Sequence, residues 1–432
     1  MTVCKKRWKP NCAAVLTERP GGRRTAPLPV ALRLLLSLFS LSSLAAAQPR
    51  PGVSPDVYAA KAYEHFYSLE LDESIEMYRK AIELEPANPL HWYGIADANL
   101  FLHLLRAGRL DSRLYSATNE FLTAAIPEPD AASVKAMWDA LARARSICSR
   151  RLAENARDVP ALYAMGLSYA VEANYHFSMT RKYFEALSAG SRAKDYHEQI
   201  LAIEPGNHDA KLLVGINSYA VGSIPASVRW IVYLAGYSGS KERGVALIHD
   251  AMQYGKRTSP AALTVLGLIY NREKMYAYSR EMLGHLMRFF PRNFLFEMEV
   301  ASSFRKENNL PAAIETYRSV ARKLEQGAPG YHRASAVKLY FQIGALMEES
   351  RRPAEALAYY EKLAKTQAVA TGASPQQRRE TGSPLVGHGY LRMGEIHLAA
   401  GRREQARAMF ETARRMPFPE IQRKADARLR VM

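Results

Sequence analysis

PAALTVLGLIYNREKMYAYSREMLGHLMRFFPRN (260–293) is followed without a gap by FLFEMEVASSFRKENNLPAAIETYRSVARKLEQG (294–327), and these two 34-residue segments carry like residues at like offsets. With Pro260 at offset 1, Leu263, Leu266, Gly267, Tyr270, Ser279, Leu283, Leu286 and Pro291 fall at offsets 4, 7, 8, 11, 20, 24, 27 and 32. Counted afresh from Phe294, Val300, Ala301, Phe304, Ala313, Tyr317 and Val320 take offsets 7, 8, 11, 20, 24 and 27. Small residues at 8 and 20 let two helices cross closely, because axes about 8 Å apart leave no room for large side chains at the crossing. The large residues form an apolar flank that one helix pair cannot cover alone, so each pair needs a neighbour. Pro291 closes the first segment, since its ring cannot continue a helix and pushes Phe290 out of the α region. Two unrelated amphipathic helices would show a period of 3.6 but no small residues recurring at fixed places.

This spacing resembles the tetratricopeptide repeat. The resemblance implies an all-α fold: an α-solenoid, or superhelix, of stacked antiparallel helix pairs that holds protein partners. From Pro55, Tyr58, Ala62, Ser74, Tyr78, Ala81 and Pro86 take offsets 4, 8, 20, 24, 27 and 32. Pro89 opens the next unit in register, with Trp92, Ile95 and Ala96 at 4, 7 and 8. Its second helix is late: Leu105 to Pro129 reads as loop or lid, and helical spacing resumes over Ala132 to Asn155 with Met137, Trp138, Leu141, Ala144, Ile147, Cys148 and Leu152 on one stripe. Cys148 reads as an inert core thiol. A unit opens at Val159 and closes over Ala193 to Pro205, about fifteen residues later than the period expects, with lengthened helices or an inserted turn near Gly190 between them. Further units start at Val337 and Gly387. The charged tail, Pro419 to Arg430, reads as a capping helix.

Ahead of the array, residues 1–47 read as a secretory leader: a long basic n-region, the apolar run VALRLLLSLFSLSSL (30–44), then Ala45-Ala46-Ala47 as cleavage site. The run is too short to span a bilayer, which takes about 20 residues. The length of the n-region hints at a start codon downstream of Met1. The leader holds eight of the 59 Lys and Arg and one of the 42 Asp and Glu, so net charge falls from +17 to +10 without it. Cys148 is then a lone cysteine, with no partner for a disulfide. These features predict an exported protein, periplasmic or secreted, with no integral span in its mature form. The implied organisation is 48–364 solenoid, 365–386 mobile excursion and 387–432 last unit with its cap.

Residues 208–256 depart most from the repeat. GSIPASVRWIVYLAGYSGSKERGVALIHDAM (222–252) predicts a turn at Ser223 to Pro225, an apolar helix over Ala226 to Ala235, a turn over Gly236 to Ser240 and an amphipathic helix over Lys241 to Tyr254. This stretch resembles the central part of a eukaryotic tetratricopeptide family linked to clearance of protein inclusions. The apolar helix is expected to pack inside the array rather than to meet lipid or a partner.

No constellation for catalysis, metal or cofactor emerges. His197-Glu198 lacks a second His at metal-ligand spacing. The turn at Gly236-Tyr237-Ser238-Gly239 follows a helix rather than the strand a nucleophile elbow needs. Basic residues alternate with acidic ones as on solvated helix faces, and no nucleic-acid recognition motif accompanies them. The chain therefore reads as a non-catalytic scaffold.

In tetratricopeptide arrays, by resemblance, offsets 2, 5, 9, 12 and 13 line the concave face. These positions yield Tyr63, Phe66 and Tyr67 in the first unit, Tyr93 and Phe101 in the second, and Leu268, Asn271, Arg272, Met298 and Arg305 in the central pair. Chaperone-tail binders of the family carry Lys at offset 5 and Asn at 9, where this chain has Thr264 and Leu268. The expected ligand is instead an extended or helical peptide, its apolar side chains on Tyr63, Phe66 and Tyr93 and an acidic group near Arg272 or Arg305. The groove is either open or packed upon itself. The competing reading is an accessory that encloses a lipid or hydrophobic solute for transport.

Overall fold

The structure, a computed structural model, describes residues 57–107, 110, 130–225, 227, 230, 233–234, 236–368 and 383–432. The leader, the loop or lid over 111–129 and residues 369–382 lie outside them. The described residues form seventeen α-helices in antiparallel pairs, each pair stacked on the next. They are α1 (Val57–Tyr67) with α2 (Leu71–Leu84), α3 (Pro89–Arg106) with α4 (Ala131–Glu154), α5 (Val159–Tyr175) with α6 (Tyr183–Ile203), and α7 (Lys211–Gly222) with α8 (Lys241–Tyr254). Then follow α9 (Ser259–Arg272) with α10 (Tyr276–Phe289), α11 (Phe294–Lys306) with α12 (Leu310–Glu325), α13 (Ala336–Glu349) with α14 (Pro353–Ala368), and α15 (Pro384–Ala399) with α16 (Arg403–Arg414). Helix α17 (Pro419–Arg430) ends the stack, burying Ile421 and Ala425 and leaving its charged face outward.

The small residues sit where the spacing requires them. A Cβ on Gly344 or Gly394 would collide with the rings of Tyr360 and Phe410, the residues at offset 24 of the same units, whereas at Gly267 it would meet Leu283 at an ordinary 3.7 Å. Serine at offset 20 adds a bond: Ser74 Oγ donates to the Ala62 carbonyl and Ser279 Oγ to the Gly267 carbonyl, each at 2.8 Å. Between units, Asn88 and Asn293 at offset 34 cap the next helix by accepting from the Leu90 and Leu295 amides at 3.1 and 3.0 Å.

Within each regular unit the two helices join at offset 15, where Leu69, Lys274, Asn308, Arg351 and Gly401 all take positive φ of 57° to 73°. The following amide reaches back five residues, as in Met275 N–H to the Tyr270 carbonyl at 2.7 Å and Arg352 N–H to the Met347 carbonyl at 2.8 Å. This left-handed closure satisfies helix-end carbonyls and reverses the chain in about three residues.

The irregular units differ from expectation in two places. Of the two readings of the stretch before Ser191, lengthened helices hold and the inserted turn does not, since Gly190 lies inside the unbroken 21-residue α6. The break falls earlier, at a π-turn over His176–Thr180 that ends in Arg181 with φ of 54°. Helix α8 starts at Lys241 as expected, on Ser240, whose Oγ accepts from the Arg243 amide at 3.3 Å. Described residues of the segment before it are not buried as expected: Trp230, Tyr233 and Leu234 are exposed. Both ends of the expected excursion over 365–386 are helical, since α14 continues to Ala368 and α15 begins at Pro384; the rest of that expectation lies outside the described residues.

Candidate partner-binding surface

The N-terminal aromatic residues are brought together, and the chain itself covers them. Tyr63 and Tyr67, one turn apart on α1, have ring centroids 4.8 Å apart; Phe66 meets Phe101 of α3 edge-on at 5.0 Å. Tyr67 stacks on Phe290 at 4.9 Å, and the Tyr63 hydroxyl donates to the Arg257 carbonyl at 3.0 Å. Phe290 immediately precedes Pro291 in the segment quoted at the outset, and Asn293 of that segment lies 226 residues from Tyr67, so the first unit folds back onto a unit far along the chain. Polar contacts fasten the same junction. Asn293 Nδ2 donates to the Tyr67 carbonyl at 2.7 Å, Arg292 Nε and Nη2 reach Glu70 and Glu64 at 3.0 and 3.1 Å, and Arg333 Nη2 reaches Glu73 at 2.8 Å. Burial raises the Glu70 carboxyl but His65 and Arg292 outweigh it, so the group ends below its usual range.

Tyr93 is held differently. Its hydroxyl donates to Asp97 one turn later on α3, at 3.0 Å. Burial pushes the Asp97 carboxyl up to about 6, with the Tyr93 bond opposing.

The central residues are less covered. Leu268 and Met298 are half-buried, Asn271 is buried and accepts from Lys306 Nζ at 2.7 Å, and Arg272 and Arg305 are exposed. Arg305 Nη2 lies 3.3 Å from Glu349, so an acidic group does sit beside it, supplied by the chain. Glu349 belongs to a pocket of about 440 Å³ lined by Phe341, Ala345, Glu348, Glu349, Tyr360 and Arg392. Phe341, Ala345, Glu348 and Glu349 are offsets 5, 9, 12 and 13 of the unit counted from Val337. Carrying the concave offsets to that unit finds them; Arg392, off that pattern, has no such signal. Glu348 is held from both sides, accepting from the Tyr360 hydroxyl at 2.6 Å and from Arg392 Nε at 3.0 Å. Burial, then the Glu348 charge, pushes the Tyr360 hydroxyl up. By contrast the Arg305–Glu349 pair is nearly half exposed on both sides, and such pairs contribute only about 0–1 kcal/mol. A partner's charge can replace either member at little cost. The arrangement offers an apolar floor beside a fixed carboxylate and an exchangeable ion pair.

Residues 55–88, the first unit, match the family model "Tetratricopeptide repeat". That first unit is a tetratricopeptide repeat, and the array it opens is an all-α helical-repeat superhelix. No curated protein matches the chain. Solved structures similar to this repeat protein include the APC/C hetero-tetramer Cut9–Hcn1, at 13% identity over 82% of this chain with a TM-score of 0.37; this chain spans 59% of that one. Another is the human IFIT1 dimer with m7Gppp-AAAA, at 14% identity over 90% of this chain and 95% of that one, TM-score 0.32. Yeast Tom70 is similar at 13% identity over 86% and 89% of the two chains, TM-score 0.25.

The buried singletons of the repeat protein are structural. Burial pushes the Cys148 thiol up to about 12, far from a reactive thiolate. His197 packs on Gly166 with its ring nitrogens 3.2 and 3.4 Å from the Ala210 and Tyr163 carbonyls. Among the described residues no helix is long and apolar enough to cross a membrane.

Proposed function

We propose that this repeat protein is an exported, non-catalytic scaffold, acting in the periplasm or secreted, that holds a peptide segment of a protein partner on its concave face. The pocket at Phe341 carries the reading. It combines an apolar floor with charged groups that exchange cheaply, which is how helical and extended peptides are anchored. Leu268, Met298, Arg272 and Arg305 extend the surface toward the centre, so a segment seated on Phe341 and Ala345 sets an acidic side chain against Arg305 in place of Glu349. Tyr63, Phe66, Tyr67, Tyr93 and Phe101 serve by fixing the curvature of that face. A photo-crosslinker at Ala345 tests this. It is expected to capture a partner that a crosslinker on the outward Arg322 does not, with capture lost in Phe341→Ser and reduced in Arg305→Ala and Arg272→Ala. Equal capture from both positions refutes the concave reading.

Exposure of Trp230 and Leu234, 60% and 79%, favours a second role as an accessory that meets lipid or a hydrophobic solute. Co-purified lipid in native mass spectra, lost in Trp230→Ser, is the outcome that role requires.

A further inference from the structure

Polar contacts join the first helices of four consecutive units in one row. Lys306 Nζ of α11 donates to Asn271 of α9 at 2.7 Å, Arg305 Nη2 of α11 lies 3.3 Å from Glu349 of α13, and Arg392 Nε of α15 donates to Glu348 of α13 at 3.0 Å. Asn271, Arg272, Arg305, Lys306, Glu348 and Glu349 stand at offsets 12 and 13 of their units, so the row keeps one level of the stack. Along it the sign of the charge changes. Helices α9 and α11 present Arg272, Arg305 and Lys306, all exposed, while the neighbouring Glu273 and Glu307 are held by Lys241 and Arg280. Helix α13 presents the two carboxylates. Glu348 is 16% exposed and held by Arg392; Glu349 is 44% exposed and pairs, among the described residues, with Arg305 alone. Beside them lies the 440 Å³ pocket, with Phe341 and Ala345 in its wall.

An acidic side chain that takes Arg305 from Glu349 strands that carboxylate next to Glu348. A ligand that also brings a cation restores the balance, exchanging one half-exposed ion pair for two of the same kind, each worth about 0–1 kcal/mol. The two charges must then reach α11 and α13 together. Packed helices lie about 8–10 Å apart, and an extended chain of the polyproline type repeats every three residues, about 9 Å, so residues three apart face the same side and stand over neighbouring helices. We propose that the segment held on this face is bipolar: an extended chain with an acidic side chain against Arg305, a basic one three residues away against Glu349, and an apolar side chain between them on Phe341 and Ala345. Such a segment presupposes that the concave face holds a peptide, and adds the charge pattern by which the peptide is chosen.

Fluorescence anisotropy with the full chain and labelled peptides tests it. The probes carry the bipolar cores Glu-Leu-Pro-Lys and Lys-Leu-Pro-Glu, the single-sign cores Glu-Leu-Pro-Glu and Lys-Leu-Pro-Lys, and the neutral core Gln-Leu-Pro-Gln, all at one ionic strength. One of the two bipolar cores is expected to bind about fivefold tighter than the single-sign and neutral ones, a difference of about 1 kcal/mol. Glu349→Lys is expected to transfer the preference to Glu-Leu-Pro-Glu, and Arg305→Glu to Lys-Leu-Pro-Lys. Glu349→Gln adds no charge and is expected to erase the advantage of the bipolar core over the acidic one, which decides the matter should Glu349→Lys fail to fold. Equal binding of all five cores, tightest binding of a single-sign core, or a preference unmoved by either Glu349 variant overturns the charge pattern while the peptide reading stands. No saturable binding of any core overturns both.

Discussion

Asp97 and His197 titrate over the same pH window with opposite consequences. Burial raises the Asp97 carboxyl from its usual 3.8 to about 6. The fold therefore binds that proton more tightly than the unfolded chain does. This stabilisation is complete below pH 3.8 and is lost as pH rises through 6, a change of about 3 kcal/mol at 1.36 kcal/mol per pKa unit. Burial lowers the His197 imidazole from 6.5 to about 4, against the opposing pull of the Ala210 and Tyr163 carbonyls and the Asp209 charge. Its stabilisation is complete above pH 6.5 and is lost as pH falls through 4, again by about 3 kcal/mol. The two trends nearly cancel between pH 4 and 6.5. Removing one group unmasks the other. In urea unfolding, Asp97→Asn is expected to gain about 3 kcal/mol relative to wild type as pH rises across that window, and His197→Gln to lose about as much. Variants whose pH slopes match that of wild type contradict the assignment of both groups.

Helices are the scale at which the sequence was most legible, because their periodicity and small-residue spacing are fixed by contacts within one hairpin. Gly344 under Tyr360 and Gly394 under Phe410 need only offsets 8 and 24 to be found. The turn was less legible. Five units close through a left-handed residue at offset 15, but only Gly401 and Asn308 are of types that geometry favours; Leu69, Lys274 and Arg351 occupy it because the helix on each side fixes the chain direction. A left-handed conformation costs a side-chain-bearing residue about 1–2 kcal/mol. Lys274→Gly and Arg351→Gly, both at exposed positions, are each expected to raise stability by about 1 kcal/mol, and Gly401→Ala to lower it by a similar amount. Thermal unfolding of the three variants checks this, and a loss of stability in both Gly substitutions contradicts it. Ser279→Ala removes the buried bond to the Gly267 carbonyl and is expected to cost about 1 kcal/mol.

At the scale of the whole array, the return of α1 and α2 onto residues 290–333 lay beyond sequence reasoning, because curvature sums small rotations over many units. Offsets assign Tyr67 to the concave side but carry no information that Phe290 stacks on it. The closure is concentrated in few residues. Arg292 bridges Glu64 and Glu70, Asn293 holds the Tyr67 carbonyl, and Arg333 reaches Glu73, with Leu69 buried in the same cluster as Phe294 and Tyr331. Glu70 is only 13% exposed, so reversing the charge at Arg292 sets like charges together where water screens them poorly. Arg292→Glu is expected to release the first helix pair while the units from α9 onward stay folded, since each unit draws its stability from its neighbours in the stack. Amide exchange over 57–84 then accelerates about 10- to 100-fold, corresponding to a loss of about 1.4–3 kcal/mol in local stability. Exchange over 259–349 changes little, and the radius of gyration by small-angle scattering increases. Unaltered exchange over 57–84 means that stacking of Tyr67 on Phe290 holds the ring of units shut without the charges, which the double variant Arg292→Glu, Tyr67→Ala then resolves: its first helix pair must open.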